Sequence, residues 1–351
     1  KAHRDPRRLW RVIEEAGVTI SHFVPSMLGP FLDATPDGPS GLRRVVCSGE
    51  ALGAELRAEL HRRLPGAELH NLYGPTEAAI DVTWWPCPAD DTRRPVPIGR
   101  PIANTTTHVL DEEQERLPDR VAGQLHLGGV QVGLGYVGRP ALTAARFVCD
   151  PFGHGERLYA TGDRCRWGED GALDYLGRVD FQVKINGLRI ELGEIEAVLE
   201  QHPSVSQAVA WTHPAPSGGL RLVAYHVGEA VEAEALRDHL RGQLPAYMVP
   251  AELMHLPALP LTGSGKVNRA ALPAPGRSTR AYQPPRGENE ALLASLWAQV
   301  LGLDRVGRDD DFIALGGDSI SMLPVLGGLE ERGLRLDVED LLADPVLHRV
   351  A

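Results

Sequence analysis

The sequence predicts an α/β region, then a small α+β domain, then a bundle of helices. Three observations carry that expectation. Over residues 1–179, apolar runs alternate with amphipathic segments, the pattern of strands feeding helices. At 186–187 an Asn-Gly pair sits between short alternating apolar runs, a hairpin signature because both turn positions need positive φ. A Pro- and Gly-rich stretch at 272–287 is followed by leucines at helical spacing.

At 351 residues the chain has room for about two or three domains. Apolar residues make up 43% and charged residues 24%, ordinary for a globular protein with sizeable cores. The net charge of −11 argues against a nucleic-acid or anionic-membrane surface, since both need a positive field. Residues 1–9 have no apolar signal core, and no run of about eighteen apolar residues could span a membrane. The expected location is cytoplasmic. Cys47, Cys87, Cys149 and Cys165 show neither CxxC nor paired His spacing, so they read as buried thiols rather than metal ligands or disulfides. The chain opens at Lys1 without Met, inside an apparent helix, which suggests a fragment.

Taken in order, LRRVVCSG (42–49) reads as a buried strand and AELRAELHRRL (54–64) as the helix after it. Short β runs broken by Gly and Pro over 98–135 predict a barrel-like or meandering β region. Next come the hairpin, a helix (GEIEAVLEQH), two strands (VSQAVAW, LRLVAYHV) and a helix (EAEALRDHLRGQL). They make a small α+β domain over 180–271, after a first domain over 1–179. Residues 272–287 lack periodicity and read as a linker. Leu292, Leu293, Leu296, Trp297, Val300 and Leu301 predict a helix that Gly302 ends. Helical stretches after 319 and 337 complete a bundle over 288–351.

Several segments offer chemistry. GLGYVG (133–138) matches a dinucleotide-binding fingerprint, with Glu156 as the distal acid. However, no opening βαβ unit precedes it and Arg139-Pro140 interrupts the helix start, so it is set aside. SGK (264–266) lacks the first glycine and the hydroxyl residue of a phosphate-binding P-loop. In NLYGPTEAAI (71–80), Tyr73 offers a flat face for a base, Thr76 a hydroxyl and Glu77 a hard oxygen for Mg²⁺. The same letters also describe a plain turn before a helix. YATGDR (159–164) carries Asp163, either a carboxylate for sugar hydroxyls or part of an ordinary β-turn. In LGGDSI (315–320), Ser319 is a helix cap or an exposed hydroxyl at a helix N-terminus that favours a phosphodiester.

The motifs NLYGPTE, GGVQVGLGY with GRPALTAARF, YATGDR, YLGRVDFQVKINGLRIELGEIE, LPAYMVP and PLTGSGKVNR occur in that order. Together they resemble the successive core motifs of the adenylation domains of nonribosomal peptide synthetases. LGGDSI after the linker resembles the peptidyl carrier (thiolation) domain that follows one. The resemblance covers nearly the whole chain. It implies the later part of the large subdomain of an acyl-adenylate-forming enzyme, a small mobile α+β subdomain, and a four-helix carrier.

By that resemblance, Gly49, Glu50 and Ala51 with Asn71, Leu72 and Tyr73 would line the adenine pocket, and Gly74 would join them at the AMP moiety of ATP. Thr76 would touch the α-phosphate and Glu77 the Mg²⁺. Asp163 would hold the ribose hydroxyls with help from Tyr175 and Arg178. Lys266 resembles the mobile lysine that bridges the substrate carboxylate and the α-phosphate. Asp180 would be the hinge, and the loop at Gly187 would serve the second half-reaction. Ser319 would carry 4′-phosphopantetheine, with Gly316 and Gly317 keeping its approach open; Pro324 would kink the helix that follows.

The family's side-chain pocket columns fall on His22, Val46, Ser48, Leu72, Ile80, Asp81 and Lys266. Polar groups at His22, Ser48 and Asp81 imply a hydroxylated substrate, serine or an α-substituted serine, with threonine a further candidate. Implied partners are this amino acid, a phosphopantetheinyl transferase, neighbouring condensation or epimerisation domains and an MbtH-like helper. The family's phosphate loop and amine-binding aspartate would lie upstream of Lys1, so the chain alone is expected not to form an adenylate. A non-catalytic carrier and docking fragment, or an acyl-CoA ligase, are the competing readings.

Overall fold

In a computed structural model of the chain, the structure describes residues 6–36, 40–153, 156–185, 187–214, 220–275, 282–313, 315, 317, 321–330, 332–336, 341 and 345–351. The chain divides into two compact units, 6–181 and 182–351.

The first unit opens with α1 (Pro6–Glu15), β1 (Ile20–Phe23), α2 (Pro25–Ala34), β2 (Arg44–Cys47), α3 (Ala54–Arg63) and β3 (Glu68–Tyr73). The strands β1, β2 and β3 run parallel, and β4 (Thr83–Pro86) and β5 (Arg100–Pro101) add antiparallel to complete a sheet of order β1-β2-β3-β4-β5. One face carries Phe23, Val45, Cys47, Leu69 and Trp85, buried against Leu28, Phe31, Leu32, Leu60 and Leu64 of the helical layer. Burying each such side chain contributes about 1.5–3 kcal/mol, so this face fixes the register. The other face stays partly open, with Ile20 56% and Trp84 44% exposed.

A second sheet in this unit uses β6 (Thr105–Leu110) and β7 (Gly123–Gly129), then α4 (Pro140–Arg146), β8 (Phe147–Cys149), β9 (Arg157–Trp167) and β10 (Leu173–Arg178). Its order β10-β9-β7-β6 is antiparallel throughout, with β8 pairing β9. Of the two expectations for this region, the open meander is the one formed. Antiparallel pairing before GLGYVG also removes the parallel βαβ frame that a dinucleotide fingerprint needs. Pro140 does not block the helix: it occupies the first turn of α4, where a missing N–H costs nothing. The cysteines are corrected in one respect, since Cys149 is exposed while Cys47, Cys87 and Cys165 are buried.

The second unit begins with the hairpin β11 (Val183–Ile185) and β12 (Leu188–Ile190). Ile185 pairs Leu188 across a two-residue turn, and Gly187 has φ +75°; Asn186 lies outside the described residues. Then follow α5 (Leu192–Leu199), β13 (Val205–Pro214), β14 (Leu220–Gly228), α6 (Ala233–Arg241) and β15 (Glu252–His255). β14 pairs β13 antiparallel and β15 parallel. The inward residues Ala208, Ala210, Leu222 and Ala224 meet Ile195, Leu199, Leu236 and Leu240 of α5 and α6. Leu272 is buried in the cluster on the opposite face, with Val223 and Tyr225, and the Tyr225 hydroxyl donates to the Pro273 carbonyl at 2.7 Å. The start of the 272–287 stretch is therefore fastened to this domain rather than free, a contact that its lack of periodicity concealed.

Beyond it, α7 (Gly287–Leu301) ends at Gly302, which takes the left-handed conformation expected of a helix stop. α8 (Met322–Glu330) and α9 (Leu347–Val350) follow. Trp297 is fully buried and meets Phe312 edge-on at 4.9 Å, and Leu293, Leu296, Val325, Leu329 and Leu347 complete this core. Pro324 stands in the first turn of α8 as described, where a proline is tolerated without a kink. The expected helical start at 337 and Ser319 itself lie outside the described residues.

Candidate functional site

Strand register brings four of the pocket columns onto one surface. His22 lies directly across from Val46 in the parallel β1–β2 ladder, and Val46 lies across from His70 on β3. Because side chains alternate along a strand, Ser48 and Leu72, each two residues further on, share that face. His22 Nε2 and the Ser48 hydroxyl are 2.8 Å apart, with Ser48 only 7% exposed. The same alternation separates Leu72 from Asn71 and Tyr73, which point to the opposite, buried face. The three side chains grouped for the adenine by resemblance do not line one wall.

The chain after β3 is tightly constrained. A Cβ on Gly74 would collide with the carbonyl of Ile80, so the loop folds back onto β3 only because residue 74 has no side chain. Ala79 and Ile80 take φ of +53° and +82°. A β-branched residue there is strained, and such strain concentrates at functional positions. Ile80 is 69% exposed, and Asp81 follows it, half-buried. Thr76 and Glu77 occupy a single helical turn, Thr76–Ala78.

Tyr73 and Asp163 are 90 residues apart in sequence, yet the Tyr73 hydroxyl donates to the Asp163 carboxylate. Both are buried, at 9% and 7% exposure. Burial, then the Asp163 charge, push the Tyr73 phenol well above its ordinary pKa, so it stays a donor. Arg178 donates to the other Asp163 oxygen at 2.7 Å and grips Asp180 with two bonds of 2.6 and 2.8 Å. A break in the β9–β10 register between Tyr175 and Arg178 sets Arg178 across from Asp163. Burial alone would lower the Arg178 pKa; hydrogen bonds to Asp180 and the Asp163 charge outweigh it and hold the guanidinium charged. Arg146 reaches Asp180 at 3.3 Å. Tyr175 is half-buried on the same strand, and burial followed by the Asp163 charge raises its phenol too.

Glu50 is engaged locally: its carboxylate accepts from the Ser26 N–H at 3.0 Å and the Ser26 hydroxyl at 3.2 Å, in the first turn of α2, where a negative charge is favoured. Gly49 has φ +87° and Ala51 is exposed. Lys266 belongs to the second unit, exposed on a turn closed by Thr262 N–H to the Lys266 carbonyl at 2.7 Å.

Two features escaped the reading of the sequence. Tyr136, inside the discarded GLGYVG, donates its hydroxyl to Glu77 Oε1 at 2.6 Å. Arg146 of α4 reaches the hinge candidate Asp180. Both lie in quoted motifs, Tyr136 at the end of GGVQVGLGY and Arg146 within GRPALTAARF, but nothing in those letters named the carboxylate that either one meets.

The groups implied by resemblance can be tested against these residues. Among the described residues no three His, Cys, Asp or Glu side chains form a metal cage. One carboxylate, Glu77, still fits Mg²⁺, which keeps several waters and leans on substrate phosphates. Asn71 Oδ1 is a buried acceptor with no hydrogen-bond partner, so the site retains a polar group that a nucleotide donor would satisfy. In the carrier region, a Cβ on Gly317 would strike the Phe312 ring. Gly317 is thus needed for packing against Phe312, a role distinct from keeping the approach open.

Comparison with known proteins finds three family segments along the chain. The AMP-binding enzyme family matches residues 1–137, the AMP-binding enzyme C-terminal domain 194–266, and the phosphopantetheine attachment site 291–351. The chain is therefore the adenylation region of a nonribosomal peptide synthetase joined to a phosphopantetheine carrier domain. It is 49% identical to phosphinothricin tripeptide synthetase PhsB of Streptomyces viridochromogenes, over 99% of this chain and 30% of that protein. It is 45% identical to enterobactin synthase component F of Escherichia coli, over 95% of this chain and 27% of that one. The chain thus spans less than a third of these relatives. The solved structure of holo-PA1221, an NRPS protein containing adenylation and PCP domains bound to a vinylsulfonamide inhibitor, superimposes with a TM-score of 0.79 at 31% identity, covering 99% of this chain and 58% of that one. No helix among the described residues is long and apolar enough to cross a membrane.

Proposed function

We propose that the protein bearing this chain joins an amino acid to AMP at the expense of ATP and passes it to its own carrier domain. The observation that carries this reading is the meeting of NLYGPTE and YATGDR at the Tyr73–Asp163 bond, within a chain that has all three family segments in order. Asp163, backed by Tyr73 and Arg178, is preorganised to accept a ribose diol. Thr76 and Glu77 stand for the α-phosphate and the Mg²⁺, and Lys266 supplies an ammonium for the charge that develops as the carboxylate attacks. Asp180 is the hinge and Gly187 the loop that serves the second step. The phosphopantetheine arm, when attached to Ser319, supplies the thiol that receives the aminoacyl group. The domains of this reading are 1–179, 180–271 and 288–351.

For the substrate, the reading is serine or a substituted serine. The His22–Ser48 pair supports it, because a hydroxyl-bearing side chain can join that hydrogen bond, whereas an analogue without one leaves polar groups unpaired. The test is intact mass spectrometry on the whole protein and its Ser319→Ala variant. Both are treated with coenzyme A and a phosphopantetheinyl transferase, then with ATP, Mg²⁺ and serine, threonine or alanine. A pantetheine gain confined to the unsubstituted protein, followed by a seryl gain, is expected. A gain with alanine equal to that with serine would overturn the substrate assignment, and a pantetheine gain on Ser319→Ala would overturn the attachment site.

A further inference from the structure

We propose that Tyr136 is a positioning residue for the metal-facing carboxylate of Glu77, and that the glycine-rich loop around it is built to hold that carboxylate. The inference rests on the assignment of Glu77 to Mg²⁺ given above. Two bonds tie the loop to the turn that bears Glu77. The Tyr136 hydroxyl donates to Glu77 Oε1 at 2.6 Å, and the Gly133 N–H donates to the Glu77 carbonyl at 2.8 Å. One fixes the side chain and the other fixes the backbone beneath it.

The tyrosine is itself held from three directions. Its N–H donates to the Thr143 hydroxyl at 2.9 Å, which belongs to the first turns of α4. Its ring meets Phe147 edge-on at 5.5 Å. Gly135 beside it has φ +136° and no space for a side chain against Thr143. A phenol held in this way gives a directed donor at one carboxylate oxygen. It limits rotation of the carboxylate and favours metal binding through a single oxygen. Mg²⁺ demands near-ideal octahedral geometry and little flexibility in its few protein ligands. Partners that orient a ligand are worth roughly tenfold to a hundredfold in metal affinity or activity.

The experiment compares Tyr136→Phe, Glu77→Gln and the double variant in the whole protein. Mn²⁺ binding is read by electron paramagnetic resonance in the presence of a non-hydrolysable ATP analogue, alongside the Mg²⁺ dependence of amino-acid-dependent pyrophosphate exchange. Phe147→Leu serves as the packing control, since it perturbs the ring contact and retains the Tyr136 hydroxyl. Tyr136→Phe is expected to raise the half-saturating metal concentration about tenfold, with the rate recovered at saturating Mg²⁺ and no added effect in the Glu77→Gln background. Phe147→Leu is expected to move the metal dependence far less than Tyr136→Phe does. Unchanged metal dependence in Tyr136→Phe alongside a large loss in Glu77→Gln would overturn the inference while leaving Glu77 as the ligand. An equal shift in Phe147→Leu would also overturn it, by making the effect one of packing. Unchanged metal dependence in Glu77→Gln would instead remove the assignment of Glu77 itself.

Discussion

Gly74 and Tyr73 are neighbours in sequence with opposite duties, one defined by an absent side chain and the other by a buried hydroxyl. Gly74→Ala forces a methyl into the Ile80 carbonyl; the backbone must move, and the expected cost is about 1–3 kcal/mol, read as a lower urea midpoint at unchanged m-value. Tyr73→Phe keeps the ring and deletes one donor to the buried Asp163. Leaving that acceptor short costs about 1–3 kcal/mol, and nucleotide affinity, measured by calorimetry, should fall with it. Ser48→Ala removes the partner of His22 and should reduce the preference for serine over alanine in pyrophosphate exchange by at least about tenfold, the scale of one lost buried hydrogen bond. Unaltered selectivity would separate this pair from substrate recognition.

Among the elements, the β9–β10 pair and the β13–β14–β15 sheet each concentrate titratable groups. Across β9 and β10, Arg178 serves Asp163 and Asp180 together. Arg178→Met would break the buried pair with Asp163, leaving that carboxylate to the Tyr73 donor and Asp180 to Arg146, a loss of about 3–5 kcal/mol for a broken buried pair, visible as a lowered unfolding midpoint at neutral pH. In the other sheet, His226 lies directly across from His255 and is 2% exposed. Burial, followed by the neighbouring His255 and His202, lowers its pKa, and His239 on α6 packs edge-on against His202. The His226 Nδ1 has no hydrogen-bond partner, so protonation would bury an uncompensated cation. A depressed folded pKa means that the unfolded state takes the proton first. The stability of this domain is therefore full above the ordinary imidazole value of 6.5 and declines as pH falls below it toward the folded value. His226→Leu should flatten that acid limb in a pH series of denaturant melts.

At the scale of the whole molecule, the two units divide the chemistry between them. Residues 6–181 carry the strand face with His22, Val46, Ser48 and Leu72 and the ion-paired Asp163. Residues 182–351 carry Lys266, the Gly187 hairpin and the carrier region. Only one residue, Phe181, separates the hinge candidate Asp180 from the start of the second unit at Gln182. The sequence by itself determined the order of domains, the Asn-Gly hairpin, the helix stop at Gly302 and the motifs that carry the candidate residues Tyr73, Asp163 and Arg178. These depend on local rules, such as positive φ, helical period and contiguous motif letters, which act within a few residues. Only the tertiary structure decided that Leu72 faces away from Asn71 and Tyr73, that Glu50 accepts from Ser26 of α2, that Leu272 anchors the supposed linker, and that Tyr136 and Arg146 reach Glu77 and Asp180. Each of those rests on register or on contacts across tens of residues, where alternation and packing choose the partner and no short stretch of sequence carries that information.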